Sequence, residues 1–83
     1  MITPQELKAQ YGPLGLSDSG TIFVGGFVLA KIQEDGTLQN HYPQPLHEPL
    51  LKVALLEFLS DPENTIEDRY APWIDDYLHS TTP

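Results

Sequence analysis

The sequence predicts a single α+β domain in which a small two- or three-stranded antiparallel sheet packs against a central apolar helix, with short helices at both ends. Three features lead to this prediction. Two runs rich in β-branched and aromatic residues flank a pair of glycines, the most apolar stretch covers residues 50–59, and helix-start signals occur near both ends. With 83 residues, the chain is expected to form one compact domain over residues 1–83.

The first helix is indicated by the residues that begin it. Thr3 suits the N-cap, Pro4 suits the first helical position, and Glu6 stands three residues after Thr3, as in a capping box. This helix should end before Gly12. The stretch over residues 12–20 is rich in Gly, Pro and Ser, which is typical of a loop.

The predicted sheet lies in the middle of the chain. Residues 21–24 and 27–32 have strand composition, and Gly25-Gly26 between them allows the positive φ angles of a type I′ hairpin turn. The alternative is a bulge within one long strand. The hairpin is favoured because a single strand would be about twice the usual length. A turn ending at Gly36 then leads into a further strand over residues 37–42.

The central helix is predicted over residues 50–59, after a connector that prolines hold extended. Pro43, Pro45 and Pro49 each fix their own φ, and Pro49 suits the first position of the helix. The helix is apolar on more than one side: one face has Leu51, Ala54, Leu55 and Phe58, and Leu50, Val53, Leu56 and Leu59 occupy much of the rest. A second molecule is one candidate for covering the additional face.

Two more helix starts follow the central helix. Ser60 and Glu63 have capping-box spacing and predict one or two helical turns over residues 63–71. Pro72 then begins a short terminal helix. Its apolar face is formed by Trp73, Ile74, Tyr77 and Leu78, with Asp75 and Asp76 on the other face.

The chain is acidic because it has few cations. It contains 12 Asp and Glu against 4 Lys and Arg, a formal net charge of -8 at pH 7, and eight of the acids lie in residues 46–83. Such a chain repels nucleic acid and anionic membranes, so neither is an expected direct partner, and it favours a basic protein.

The expected location is the cytoplasm, which would be the host cytoplasm if the protein is viral. The chain has no cysteine, which fits a reducing compartment. The N-terminal residues lack the pattern of a signal peptide, and the longest apolar run is too short to span a bilayer.

Residues 57–76, called the acidic segment below, contain the predicted partner-binding site. Carboxylates alternate there with aromatic side chains, which supply contact area at interfaces. The candidate residues are Asp61, Glu63, Glu67, Asp68, Tyr70, Trp73, Asp75, Asp76 and Tyr77. The commoner meaning of this pattern is that the acids begin helices and the aromatics belong to the core. The scarcity of cations favours docking, because a basic partner would relieve the repulsion between the carboxylates.

No catalytic residue, metal site or cofactor is expected. His41 and His47 are six residues apart and match no zinc-binding spacing. The serines of Ser17-Asp18-Ser19 lack a histidine at a placed position that could act as a base. An 83-residue domain also leaves little volume for a substrate pocket, so we expect no enzyme activity.

The predicted function is a small acidic protein-binding module, an inhibitor that docks on a basic surface of a larger protein. Where that surface normally binds nucleic acid, spaced carboxylates would stand where phosphates do. In its size, its acidity and its absence of cysteine and of catalytic motifs, the chain resembles the small inhibitors of phages and mobile elements and the immunity and antitoxin proteins. The alternative is a homodimeric structural or accessory subunit that uses the helix over residues 50–59 as its interface.

Overall fold

The computed structural model describes residues 1–65 and 68–80, which form four β-strands, three α-helices and one 3-10 helix. In chain order these are α1 (Pro4–Tyr11), β1 (Leu14–Leu16), β2 (Thr21–Val24), β3 (Phe27–Ile32), β4 (Leu38–Asn40), α2 (Glu48–Leu59), the 3-10 helix (Pro62–Asn64) and α3 (Pro72–His79). All four strands pair antiparallel in the order β1-β2-β3-β4. The α+β class and the short helices at both ends are confirmed, whereas the sheet has one strand more than predicted.

The additional strand is β1, which lies in the stretch that was predicted to be a loop. Leu14 and Leu16 are buried, and Leu14 pairs with Val24 of β2. Gly15 between them is a packing residue, because a Cβ at this position would overlap the ring of Phe23 on β2. The loop prediction for residues 12–20 was therefore wrong over β1, since the glycine that indicated a turn accommodates a neighbouring ring.

The β2–β3 hairpin is confirmed, with its turn at Gly25-Gly26. Gly25 has φ +55, but Gly26 does not have a positive φ. This pattern excludes the predicted type I′ turn, which needs positive φ at both positions, and matches type II′. A bulge is also present, but it lies further from the turn, where the register shifts between Ile22 and Phe23.

The strand predicted over residues 37–42 is shorter, because the side chain of Asn40 ends it. Asn40 Oδ1 accepts a hydrogen bond from the Tyr42 backbone N–H at 2.8 Å, and its Nδ2 donates to the Gln44 carbonyl at 3.0 Å.

The connector that follows β4 is hydrogen-bonded to the N-terminal residues. Ile2 donates its N–H to the Pro45 carbonyl and accepts from the His47 N–H, both at 3.0 Å.

The predicted start of α1 is confirmed, and the predicted start of α2 is wrong by two residues. Thr3 caps α1 as predicted, accepting from the Glu6 N–H at 3.4 Å. For α2 the helix begins at Glu48, two residues earlier than predicted, because the Nδ1 of His47 accepts from the Leu50 N–H at 3.3 Å. Pro49 is thus the second residue of the helix.

The region between α2 and α3 has less helix than predicted. Ser60 does not cap a new helix; it ends α2, and its hydroxyl donates to the Glu57 carbonyl at 2.6 Å. Asp61 is the residue that caps the 3-10 helix, accepting from the Glu63 N–H at 3.0 Å. Beyond Asn64, the described residues up to Ala71 are not helical.

The core lies between the sheet and the helices. The main contact of α2 with the sheet is with the edge strand β1, whereas α1 contacts β2 and α3 contacts β3. The largest fully buried side chains are Leu7, Ile22, Val24, Leu29, Ile32, Leu51, Leu55 and Ile74. In the part of the chain that the structure describes, no helix is both long and apolar enough to cross a membrane.

Candidate protein-binding surface

The carboxylates of the acidic segment lie mainly on the surface. Asp61, Glu63, Asp68 and Asp76 are exposed. Asp75 is half exposed, and its Oδ1 lies 2.9 Å from Nδ1 of His79, one helical turn further along α3. The 3-10 helix and α3, which carry most of these residues, both pack against α2.

The arginine of the acidic segment bonds to a backbone group. Arg69 donates from Nη1 to the backbone carbonyl of Glu63, and its guanidinium carbon lies 5.7 Å from the ring centroid of Tyr70. Asp68, which precedes the arginine in the chain, is exposed.

The aromatic residues of the predicted site are mostly in the core. Tyr70 and Tyr77 are only 7% and 3% exposed, and Trp73 is half-buried against the core. The two tyrosine rings therefore stabilise the fold and are not presented to a partner in this structure. Among these three residues, Trp73 alone is partly exposed, and its indole Nε1 is buried without a hydrogen-bond partner among the described residues.

Tyr77 has an unusual environment. Its hydroxyl is buried close to Glu48 but makes no hydrogen bond of normal geometry among the described residues. Burial, followed by the nearby charge of Glu48, raises the pKa of the Tyr77 hydroxyl above its usual value. The ammonium group of Lys52 lies 4.7 Å from the ring centroid and also donates to Ser80 Oγ at 3.0 Å. These contacts join α3 to α2 near the end of the acidic segment.

One predicted site residue, Glu67, lies outside the described residues. The structure accordingly places eight of the nine candidates, and it separates them by role. Five are carboxylates at or near the surface, two are core tyrosines, and one is the half-buried tryptophan.

The structure also shows an exposed apolar row on α2, formed by Leu50, Val53 and Leu56 and called the outer α2 stripe below. These side chains are 44%, 50% and 38% exposed, respectively. The helical wheel predicted a second apolar face but did not show which residues would remain uncovered. That depends on where α1, β1 and α3 pack around α2.

A second exposed feature was not predicted from the sequence. Tyr11, Phe27 and Tyr42 form an aromatic cluster, in which the rings of Tyr11 and Phe27 stack at 5.4 Å and Tyr42 lies edge-on to both. The hydroxyls of Tyr11 and Tyr42 are 3.3 Å apart, and this hydrogen bond raises the pKa of Tyr42. No local signal indicated the cluster, because its members come from α1, β3 and the connector.

The histidines considered as metal ligands have other environments. His47 caps α2 through its Nδ1, and His41 is exposed in the connector. Within residues 1–65 and 68–80, no group of three or more His, Asp or Glu side chains is arranged to hold a metal ion.

Comparison with known proteins found no relative. No family model matches the chain, and neither a curated protein nor a solved structure shows significant similarity to it.

Proposed function

We propose that the protein is a small acidic protein-binding module that acts as an inhibitor by docking on a basic surface of a larger protein. One observation carries the proposal. Asp61, Glu63, Asp68 and Asp76 are exposed in a segment whose single cationic residue, Arg69, donates to a backbone carbonyl. These carboxylates repel one another in the isolated protein, and lysines or arginines of a partner would relieve that repulsion.

Electrostatic interactions would supply most of the contact with the partner protein. Because Tyr70 and Tyr77 are core residues, the hot-spot contribution first expected from three aromatics is reduced to the exposed part of Trp73. Charged contacts at a surface increase the association rate and the specificity more than they slow dissociation. The complex should therefore form rapidly and depend strongly on salt.

A nucleic-acid-binding protein is the partner class that fits this surface best. Its binding groove presents lysines and arginines spaced to meet phosphates, and exposed carboxylates can occupy the same positions. Occupation of the groove would exclude the nucleic acid, which gives the inhibitory mechanism. The cytoplasm suits such an activity, because a chain without cysteine gains nothing from an oxidising compartment.

The test is a charge reversal on the exposed carboxylates. Binding partners are captured from a lysate of the source cell, the captured protein is purified, and its affinity is measured by calorimetry. We expect Asp68→Lys combined with Asp76→Lys to weaken binding by at least about tenfold. Raising NaCl from about 50 to 400 mM, or adding duplex DNA or RNA, should weaken binding similarly.

The matched control reverses two exposed acids outside the acidic segment. Asp18→Lys combined with Glu34→Lys changes the net charge by the same amount, from -8 to -4, and should leave most of the affinity. Equal losses from both double variants would show that only net charge matters. Binding that resists salt, nucleic acid and reversal of Asp68 and Asp76 would refute the proposed surface.

A further inference from the structure

Asp35 is the only aspartate of the chain that a glycine follows. Because glycine has no Cβ, it leaves the backbone nitrogen after an aspartate open to attack on the aspartate's own side chain. The other aspartates precede serine, proline, arginine, aspartate or tyrosine, and proline has no N–H that could react. The Asp35-Gly36 pair is therefore the place where an aspartate of this chain would react most readily with the backbone.

The reaction is an isomerisation that needs only water. The nitrogen of Gly36 attacks Cγ of Asp35, and the N–H proton and the carboxyl hydroxyl leave together as water, which closes a succinimide ring. A water molecule then opens the ring. Attack at the side-chain carbonyl restores aspartate. Attack at the main-chain carbonyl gives isoaspartate, in which the backbone continues through Cβ and Cγ and the former main-chain carbonyl becomes a free carboxylate.

The turn between β3 and β4 does not protect the pair by burial. Asp35 and Gly36 are both exposed at the tip of this turn. Gly36 has φ +85, and a Cβ built on it would meet nothing within 4 Å. Water therefore reaches the pair, and any protection must come from hydrogen bonds within the turn.

Hydrogen bonds hold both of the reacting groups. Oδ1 of Asp35 accepts from the hydroxyl of Thr37 at 2.6 Å and from the backbone N–H of Thr37 at 3.0 Å, which fixes the carboxylate in one orientation. The N–H of Gly36 donates to the carbonyl of Gln33 at 3.1 Å, so the proton that the reaction must remove is already bonded. The ring can close only after the carboxylate and the amide have left these partners.

The same hydrogen bonds keep the carboxyl group ionised. The hydroxyl of Thr37, followed by its backbone N–H, lowers the pKa of Asp35 below its ordinary value. The succinimide closes most readily from the neutral carboxyl, because a hydroxyl group can leave as water and a carboxylate has no such leaving group. Thr37 thus reduces both the freedom of the side chain and the fraction of it that is neutral.

We propose that Asp35 is an isomerisation site that the fold keeps slow, and that Thr37 is the residue that protects it. Isoaspartate would add a carbon to the backbone of the turn, next to the pair that Ile32 of β3 forms with Leu38 of β4. Ile32 is fully buried and Leu38 packs against the core, so the added atom disturbs the end of the sheet. The protecting bonds therefore preserve the β3–β4 pairing as the protein ages.

The first test compares the folded chain with the same chain unfolded in guanidinium chloride. Both are incubated at mildly acidic pH and digested, and the two isomeric peptides, which have equal mass, are separated by chromatography and identified by electron-transfer fragmentation. We expect Asp35 to isomerise at least about tenfold more slowly in the folded chain, because unfolding removes the bonds to Thr37 and Gln33. Equal rates in the two states would overturn the proposal.

The second test removes the Thr37 hydroxyl. Thr37→Val keeps the shape of the side chain and should speed the isomerisation of Asp35 in the folded state by about three- to tenfold. Thr37→Ser is the matched control, since it keeps a hydroxyl at this position and should leave the rate within about twofold. Titration of the Asp35 carboxyl by NMR gives an independent measure, and its pKa should rise in Thr37→Val only.

Asp18, which Ser19 follows in another turn, is the internal control. Its isomerisation should not respond to either substitution of Thr37. Equal acceleration at Asp18 and Asp35 would mean that the variant reacts through unfolding of the whole chain, and it would refute the protecting role of Thr37. An unchanged rate at Asp35 in Thr37→Val would refute it too, as would equal rates in Thr37→Val and Thr37→Ser. If Thr37→Val does not fold, the comparison of folded and unfolded chain decides the question.

Discussion

The two adjacent glycines of the β2–β3 turn differ in how well they would tolerate a side chain. Gly25 has φ +55, and a Cβ there would overlap the carbonyl oxygen of Tyr11, whereas a Cβ on Gly26 would meet nothing within 4 Å. We expect Gly25→Ala to lower the free energy of unfolding by about 2 kcal/mol, since left-handed φ and backbone overlap each cost an alanine about 1 kcal/mol. Gly26→Ala should change it by less than about 0.5 kcal/mol. Urea denaturation of both variants, followed by circular dichroism, checks the difference, and equal losses would contradict this account of the turn.

The buried hydroxyl of Tyr77 is a cost to the fold at neutral pH. It lies close to Glu48 without a hydrogen bond of normal geometry, so Tyr77→Phe removes a poorly satisfied polar group while the ring stays beneath Lys52. We expect the free energy of unfolding at pH 7 to rise by about 1 kcal/mol. Chemical denaturation measures this change. A clear loss of stability would contradict this and indicate that the hydroxyl donates to the nearby Glu48 carboxylate.

The same hydroxyl gives the protein a dependence on alkaline pH. Because burial raises the pKa of Tyr77 above its ordinary value of 10.0, the folded state retains a proton that the unfolded state loses above that pH. Titration of Tyr77 therefore does not change the stability below pH 10, and it lowers the stability as the pH rises further. Tyr77→Phe should therefore lose less stability than the unmodified chain between about pH 9 and 11. Parallel slopes in denaturation series at these pH values would exclude the effect.

At the scale of elements, neighbouring leucines of α2 distinguish its two faces. Leu55 is fully buried and Leu56 is 38% exposed on the outer α2 stripe. Leu55→Ala should lower the free energy of unfolding by about 3 kcal/mol, because it leaves a cavity in the core. Leu56→Ala should cost less than about 1 kcal/mol in the dilute monomer. Thermal denaturation at low micromolar concentration compares them, and a reversed order would mean that α2 is rotated about its axis.

The strand β1 shows why local signals miss some elements. Its three residues include a glycine and follow Pro13, a composition typical of a loop. The strand forms because Leu14 and Leu16 are buried beside α2 and because the ring of Phe23 occupies the space over Gly15. Neither cause is visible in a window of neighbouring residues.

At the scale of the whole molecule, the net charge of -8 should make stability depend on salt. Repulsion among the carboxylates destabilises the folded state, and salt screens it, so about 0.5 M NaCl should raise the melting temperature by several degrees. Asp68→Lys combined with Asp76→Lys should reduce this increase more than Asp18→Lys combined with Glu34→Lys. Calorimetry of the three proteins measures it, and equal increases in both double variants would show that the repulsion is spread over the molecule.

Features that depend on neighbouring residues could be predicted before the structure was known. The cap at Thr3, the β2–β3 hairpin at Gly25-Gly26 and the start of α3 at Pro72 were predictable, because capping side chains, turn glycines and prolines act within a few residues of the chain. The concentration of acids in residues 46–83 was likewise a matter of counting.

Which apolar and aromatic side chains are covered depends on the packing of the helices and the sheet. It placed Tyr70 and Tyr77 in the core, left the outer α2 stripe exposed, and brought Tyr11 to Phe27 and Tyr42 at the surface. Each of these outcomes depends on contacts between residues far apart in the chain, and burial is a property of the assembled layers. The acidic segment and the outer α2 stripe are separate exposed features for that reason.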